Sequence, residues 1–308
     1  MNLRADADTQ LYFQIGYPLD FSCAASLHNA MFEYANVNAV SLNIEVEPGH
    51  LGEFCEAVKA LKIGGFDITM PHKSAVIPFL DEVDDISRDF NCVNHVNLRD
   101  GKLIGICLDG TGMCMSIEDD AGVKIAGKTA LILGAGGVAG PISAELARRG
   151  AKKIIILNRT VSKAEYIEKV LHKYYEIETE SGEMNIENLK KYASESQIVV
   201  QCTCLGMDGH DGDYEDVTFV DNLPKGAAIA DVLYTPDRTK LLAYAESKGY
   251  TVINGLGMLI NQQKAMLKFH FDIDAGDDAY DFGEEGLMVA RAMREARANR
   301  SKRAAEKK

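Results

Sequence analysis

"TALILGAGGVAGPISAELARRG", residues 129–150, decides the fold class of this chain. A short apolar run passes directly into glycines, and a helical pattern follows that ends at Gly150. A buried strand that turns tightly into a helix is the opening of a βαβ unit. The next apolar run, "KKIIILNRT" at 152–160, comes at the distance such a unit requires. Gly134, Gly136 and Ala139 fit the spacing G-x-G-x-x-G/A. Glycine at 134 permits the tight turn, glycine at 136 lets the backbone approach a pyrophosphate, and a small residue at 139 lets helix and strand pack closely. Gly137 lies in the same turn, and the helix start behind it offers N–H groups and a positive dipole to phosphates. Pro141 falls in the first helical turn, where a missing N–H costs nothing.

The end of the second strand distinguishes between two cofactors. An NAD site places Asp or Glu there to accept from the ribose 2′-hydroxyl. Here Asn158, Arg159 and Thr160 occupy that stretch, with Lys163 one turn on. A carboxylate would repel a 2′-phosphate, whereas Arg159 can pair with it and stack on the adenine. The expected cofactor is NADP, with NAD less favoured.

Working outward, "SQIVVQCT", "AAIADVLY" and "TVING" read as further strands separated by helices or loops, which argues a doubly wound parallel sheet. Upstream, "LYFQIGYPL", "AVSLNIEV" and "FDITMP" read as strands. "SLHNAMFEYANV" and "HLGEFCEAVKALKIGG" read as helices, the latter stopped by its glycines. "CVNHVNLRDGKLIGICLD" reads as two strands around an Asp-Gly turn. Near the end, "MLINQQKAMLKFHF" is helical, "AGDDAYDFGEEG" is an acidic linker, and "LMVARAMREARANRSKRAAEKK" is an increasingly basic helix. The 308 residues suggest two domains. The expectation is an α/β fold: an N-terminal α/β substrate domain over 1–115, completed by 257–308, and a Rossmann-type nucleotide domain over 116–256, with a cleft between.

A net charge of −13 argues against a nucleic-acid footprint. No apolar run reaches membrane-span length, and "MNLRADADTQ" has no signal-peptide core. The seven cysteines are scattered without zinc spacing and read as reduced thiols; no metal site is implied. The expectation is a cytoplasmic protein, monomer or homodimer, with a small-molecule partner and neither nucleic acid nor membrane.

One stretch needs a further account. "GGFDITMPHKSA", residues 64–75, places a lysine two residues after a proline at the end of a strand-like run. With it stand "GYPLDFSCAASLHNAMF", "CVNHV", "GICLDGTGM", "GAGGVAG", "NRT", "TCLGM", "DVLYTPDRT" and "NGLGMLINQ". In this order and spacing the chain resembles the shikimate/quinate dehydrogenases from about residue 12 to residue 271. The resemblance implies that Lys73 and Asp109 form the catalytic pair. It implies substrate contacts from Ser22, Asp67, Thr69, Asn94, Tyr234 and Gln262, and cofactor contacts from Thr203, Gly255 and Met258. The chemistry suits those roles. Interconverting a secondary alcohol and a ketone needs a group that moves the hydroxyl proton and stabilises charge on oxygen, and a partly buried lysine held by a carboxylate can do both.

The chain also departs from the family pattern. Ala24 stands where a second carboxylate-binding serine is usual, with Ala25 in place of a proline. Asp67 replaces an asparagine, His95 a threonine, and Gln201 an asparagine; Cys107 and Leu108 precede Asp109 where asparagine and threonine are usual. If Ala24 and Asp67 line the pocket, shikimate binding weakens, and quinate, another cyclic polyol or an amino analogue becomes the alternative substrate. A dehydrogenase of the amino-acid or methylene-folate type is disfavoured by the D-G-x-G and N-G-x-G-M-L stretches. An idle NADP(H)-binding sensor is the alternative outside enzymology, disfavoured by the presence of both Lys73 and Asp109.

Overall fold

The computed structural model describes residues 6–19, 22–276, 279, 283 and 284. The described residues divide into two compact units. Met1–Cys107 bounds the first, which the chain re-enters at Gln263, and Leu108–Gln262 is the second. The basic helix expected at the C-terminus lies outside the described residues.

The first unit runs β1 (Gln10–Gly16), α1 (Ala24–Tyr34), β2 (Ala39–Glu45), α2 (Leu51–Leu61), β3 (Gly65–Ile68), α3 (His72–Ala75), β4 (Glu82–Val83), α4 (Asp85–Asp89), β5 (His95–Arg99) and β6 (Lys102–Ile106). The strands form one sheet in the order β2-β1-β3-β5-β6-β4. β1 pairs in parallel with β2 and β3, while β5 runs antiparallel to β3 and β6. The β5–β6 connection is the expected two-residue turn: Asp100 and Gly101 both have positive φ (52° and 77°), which matches the right-handed twist of a hairpin. Helix α2 ends before its glycines, because Lys62 takes the left-handed conformation itself (φ 55°). Phe66 and Ile68 of β3 enter one apolar core with Leu51, Cys55 and Val58 of α2. Gly65 and Asp67 alternate to the other face.

The second unit runs α5 (Asp109–Met115), β7 (Thr129–Leu133), α6 (Ala139–Arg148), β8 (Lys153–Asn158), α7 (Val161–Tyr174), β9 (Glu178–Glu183), α8 (Ile186–Ala193), β10 (Ile198–Gln201), β11 (Ala228–Asp231), α9 (Lys240–Ser247), β12 (Thr251–Ile253) and α10 (Gly255–Phe271). α10 carries the chain from the second unit into the first at Gln262 and Gln263. All six strands are parallel, in the order β12-β11-β10-β7-β8-β9. The chain starts in the middle and winds outward both ways, the Rossmann arrangement, whose strand order reverses between β7 and β10. The β7, β8, β10 and β11 interiors are fully buried, as strands covered on both faces must be. β9, "ETESGE", had no strand signal in sequence. It is an edge strand whose glutamates discourage further pairing.

Candidate functional site

In the first unit, the predicted residues collect at one end of the sheet. β1 and β3 finish there, β5 begins there, and β6 finishes there. A web of backbone bonds holds that end together. The Thr69 N–H donates to Ile15 O (2.9 Å), Tyr17 N–H to Met70 O (3.1 Å), Ile68 N–H to Asn94 O (2.8 Å), and Asn94 N–H to Ile106 O (3.1 Å). The Lys73 carbonyl accepts from Val93 N–H at 2.8 Å, which ties the lysine's short helix to the residue before Asn94. His72 is fully buried with Nε2 2.6 Å from the Val46 carbonyl, so Lys73, half-exposed, leaves on another side of α3. Thus Thr69, Lys73 and Asn94, distant in sequence, are local neighbours. Ser22 sits just before α1, where its Oγ accepts from the Ala24 N–H at 3.3 Å.

Asp67 has a different fate from the expected pocket acceptor. In the antiparallel β3–β5 pair it stands directly opposite His95, and opposed residues share a face. Its Oδ1 lies 2.6 Å from His95 Nδ1 and its Oδ2 2.7 Å from His28 Nε2. Both oxygens are engaged beneath α1 and α10, and Gln263 Nε2 approaches Oδ2 at 3.4 Å. Burial alone would raise its pKa, but the two imidazoles hold it well below the usual carboxylate range. The resemblance implied a substrate contact for Asp67 and gave His95 no settled role. The strand register turns them instead into a buried ion-paired layer.

In the second unit, Asp109 opens α5 and is buried. The glycines beside it are packing residues. A Cβ at Gly110 would lie 2.2 Å from the Pro141 carbonyl oxygen of α6, and one at Gly112 would lie 2.4 Å from the Met258 oxygen of α10. The D-G-T-G spacing therefore wedges α5 between two helices and fixes the backbone that carries Asp109. Gln262 lies on the same contact, its backbone N 2.9 Å from where that second Cβ would be.

The nucleotide turn fits a dinucleotide. Gly134 has φ +102°, and a Cβ there would meet the Thr203 methyl at 2.6 Å, so only glycine serves. At Gly136 a Cβ would touch nothing closer than the Cys202 oxygen at 3.7 Å, and at Gly137 nothing within 4 Å. The protein itself leaves room for side chains at both, so glycine there answers to something that approaches the backbone. Ala139 begins α6, fully buried. Asn158 braces the turn: Oδ1 accepts from Ala135 N–H (3.1 Å) and Nδ2 donates to Thr160 O (2.9 Å). Arg159, Thr160 and Lys163 remain exposed around the start of α7, a cationic rim without a carboxylate.

Asp231 was not singled out in sequence. It closes β11, fully buried, accepting from Leu233 N–H (2.9 Å), Thr239 Oγ1 (2.8 Å) and Gln201 Nε2 (3.3 Å). Burial pushes its pKa up to about 6 against these bonds. Gln201 also accepts from Thr203 N–H, so one carboxylate organises both the Thr203 loop and the loop that bears Tyr234. Gly255 N–H donates to Leu233 O at 2.8 Å and fastens that loop to the start of α10, one turn before Met258. The signal that could have found Asp231 is a carboxylate ending an otherwise apolar strand.

All seven cysteines are reduced. Among the described residues no helix is long and apolar enough to cross a membrane.

Residues 14–96 match the shikimate dehydrogenase substrate binding domain, and residues 117–206 the shikimate/quinate 5-dehydrogenase domain. A shikimate dehydrogenase (NADP+) of Alkaliphilus oremlandii is 39% identical over 257 residues, 83% of this chain and 89% of that one. Shikimate 5-dehydrogenase of Listeria monocytogenes, crystallised with shikimate and NAD, has a TM-score of 0.84 and 29% identity, over 92% of this chain and 98% of that one. A ligand-free 5-ketofructose reductase of Gluconobacter has a TM-score of 0.80 and 28% identity, over 92% and 99%. With two family domains in sequence and relatives matched along most of their length, this chain belongs to the shikimate dehydrogenase family.

Proposed function

We propose that this protein is an NADP-dependent shikimate dehydrogenase, interconverting shikimate, or a close relative such as quinate, and its 3-dehydro ketone. The observation that carries the reading is the backbone web that brings Thr69, Lys73 and Asn94 to one end of the first sheet, in a chain whose relatives act on shikimate. Gly134, Gly136, Gly137 and the start of α6 would hold the dinucleotide phosphates, and Arg159, Thr160 and Lys163 its 2′-phosphate. Thr203, Gly255 and Met258 would border its far end. When bound, the cofactor supplies or accepts the hydride.

The chain's own residues do the rest. The Lys73 ammonium donates a proton to the ketone oxygen in reduction and takes it back in oxidation. Asp109, carried on its wedged helix, is assigned as the acidic member of the pair. Asn94 and Gln262 are assigned to ring hydroxyls, Thr69 and Tyr234 to further substrate contacts, and Ser22 to the carboxylate. Asp67, committed to His28 and His95, acts by fixing β3 rather than by touching substrate.

The test is steady-state turnover with shikimate, quinate and neutral cyclic polyols, each with NADP and with NAD. Lys73→Ala should lose most turnover, on the order of a hundredfold or more, while NADPH affinity stays unchanged. Loss of NADPH binding in that variant, or NADPH binding without turnover of any substrate, would count against the assignment. A second reading draws on Ala24. With one carboxylate donor gone, a neutral polyol ketone of the kind named for the Gluconobacter reductase is the alternative substrate.

A further inference from the structure

We propose that the first unit contains a structural site for a divalent transition-metal ion of the zinc type, built on Asp67, His95 and His270, with His28 braced against the same carboxylate. The four residues come from α1, β3, β5 and α10, and each is at least nine-tenths buried. One ligand atom from each of Asp67, His95 and His270 lies within 4.8 Å of the others. His28 Nε2 adjoins the trio from the second carboxylate oxygen, 2.7 Å from Asp67 Oδ2.

Hydrogen bonding leaves this cluster unfinished. Among the described residues, eight buried side-chain polar atoms have no well-directed hydrogen bond. Six of them belong to this cluster: His28 Nε2 and His95 Nδ1 face only the Asp67 carboxylate, while His95 Nε2, both His270 nitrogens and Gln263 Oε1 have no partner. Both nitrogens of His270 are in that group, and a buried imidazole with neither nitrogen partnered is unfavourable. A Cβ at Gly65 would lie 2.5 Å from the Val96 carbonyl oxygen and 2.6 Å from His270 Cε1, so this ring packs directly on the β3 backbone.

The surroundings suit a ligand set. His28 Nδ1 is 2.8 Å from Ser41 Oγ, which orients the ring with Nε2 toward Asp67. Two imidazoles and a carboxylate, without thiolate, match the preferences of Zn2+, Co2+ and Ni2+. Metal–ligand bonds of about 2.0–2.2 Å at tetrahedral angles set ligand atoms about 3.3–3.6 Å apart. Binding therefore draws His270 toward the other two and opens the Asp67–His95 contact from 2.6 Å, the ion replacing the proton that now bridges that pair. Because the ligands come from segments far apart in the chain, binding is coupled to folding of this unit. The two departures Asp67 and His95 then have one explanation, and it is not substrate choice.

The full chain, stripped with a chelator, is titrated with Co2+ as a spectroscopic probe and then with Zn2+. One Co2+ should bind per chain with the visible bands of a four-coordinate nitrogen–oxygen site. Zn2+ should displace it and raise the melting temperature. His270→Phe should abolish both signals. If the wild-type chain gives neither a visible band nor a thermal shift, the proposal is overturned whatever the variant does. It is equally overturned if Co2+ binds His270→Phe as tightly as wild type, since exposed histidines then account for the binding. NADPH binding and turnover are separate readouts, so failure of this site and failure of the dehydrogenase assignment are distinguishable.

Discussion

Arg159 and Ala24 are the two residues at which substitution most directly tests what the protein accepts. Arg159 stands exposed at the end of β8, where a carboxylate would read a ribose hydroxyl. Arg159→Asp should shift preference toward NAD, raising KM for NADP by tenfold or more on the order of one lost charge-assisted contact. Equal use of NADP by the variant would mean that Lys163 or another group reads the phosphate. Ala24 opens α1 next to Ser22. Ala24→Ser restores a hydroxyl donor, and if shikimate is held there by its carboxylate, its KM should fall by roughly ten- to a hundredfold. An unchanged KM for shikimate alongside efficient turnover of a neutral polyol would favour the second reading.

At the scale of elements, α5 is held by its neighbours more than by its own residues. It has seven residues, too few for independent stability, and two of them are glycines. Its position comes from close approach to α6 and α10 through Gly110 and Gly112. Gly110→Ala must push against the Pro141 backbone rather than a movable side chain, so the cost is about 1–3 kcal/mol. The melting temperature should drop, and turnover should fall further than the folded fraction does, because Asp109 is displaced with its helix. Wild-type stability in this variant would show that α5 is free to shift. β9 makes the opposite point. Its polar sequence forms a strand because β8 offers it a ladder partner.

At the scale of the molecule, the pH dependence of stability carries the mark of Asp231. Its folded pKa of about 6 exceeds the ordinary 3.8, so between these values the folded chain holds a proton that the unfolded chain has lost. This term favours folding at the acid end and fades as pH rises from about 4 to about 6. Above that, the ionised buried carboxylate remains a cost of up to about 3 kcal/mol. Asp231→Asn keeps the acceptors for Leu233 and Gln201 and removes the charge. Its stability relative to wild type should therefore increase as pH rises through that window, as urea unfolding at several pH values would reveal. A difference independent of pH would mean that Asp231 titrates normally.

Much of this protein was legible in the linear chain. The strand–glycine–helix opening of the second unit, the absence of an acid at 158–160 and the Asp-Gly hairpin are local signals. They depend on backbone conformation and charge within a few residues, which a sequence states directly. The fate of Asp67, the bracing role of Asp231, the ending of α2 at Lys62 and the existence of β9 were decided only by tertiary structure. Each depends on which residues from distant segments lie opposite, and strand register and helix packing settle that through burial. A carboxylate looks alike in sequence whether it will face a substrate or two histidines. Only the face of β3 onto which the hydrophobic pattern turns it makes the difference.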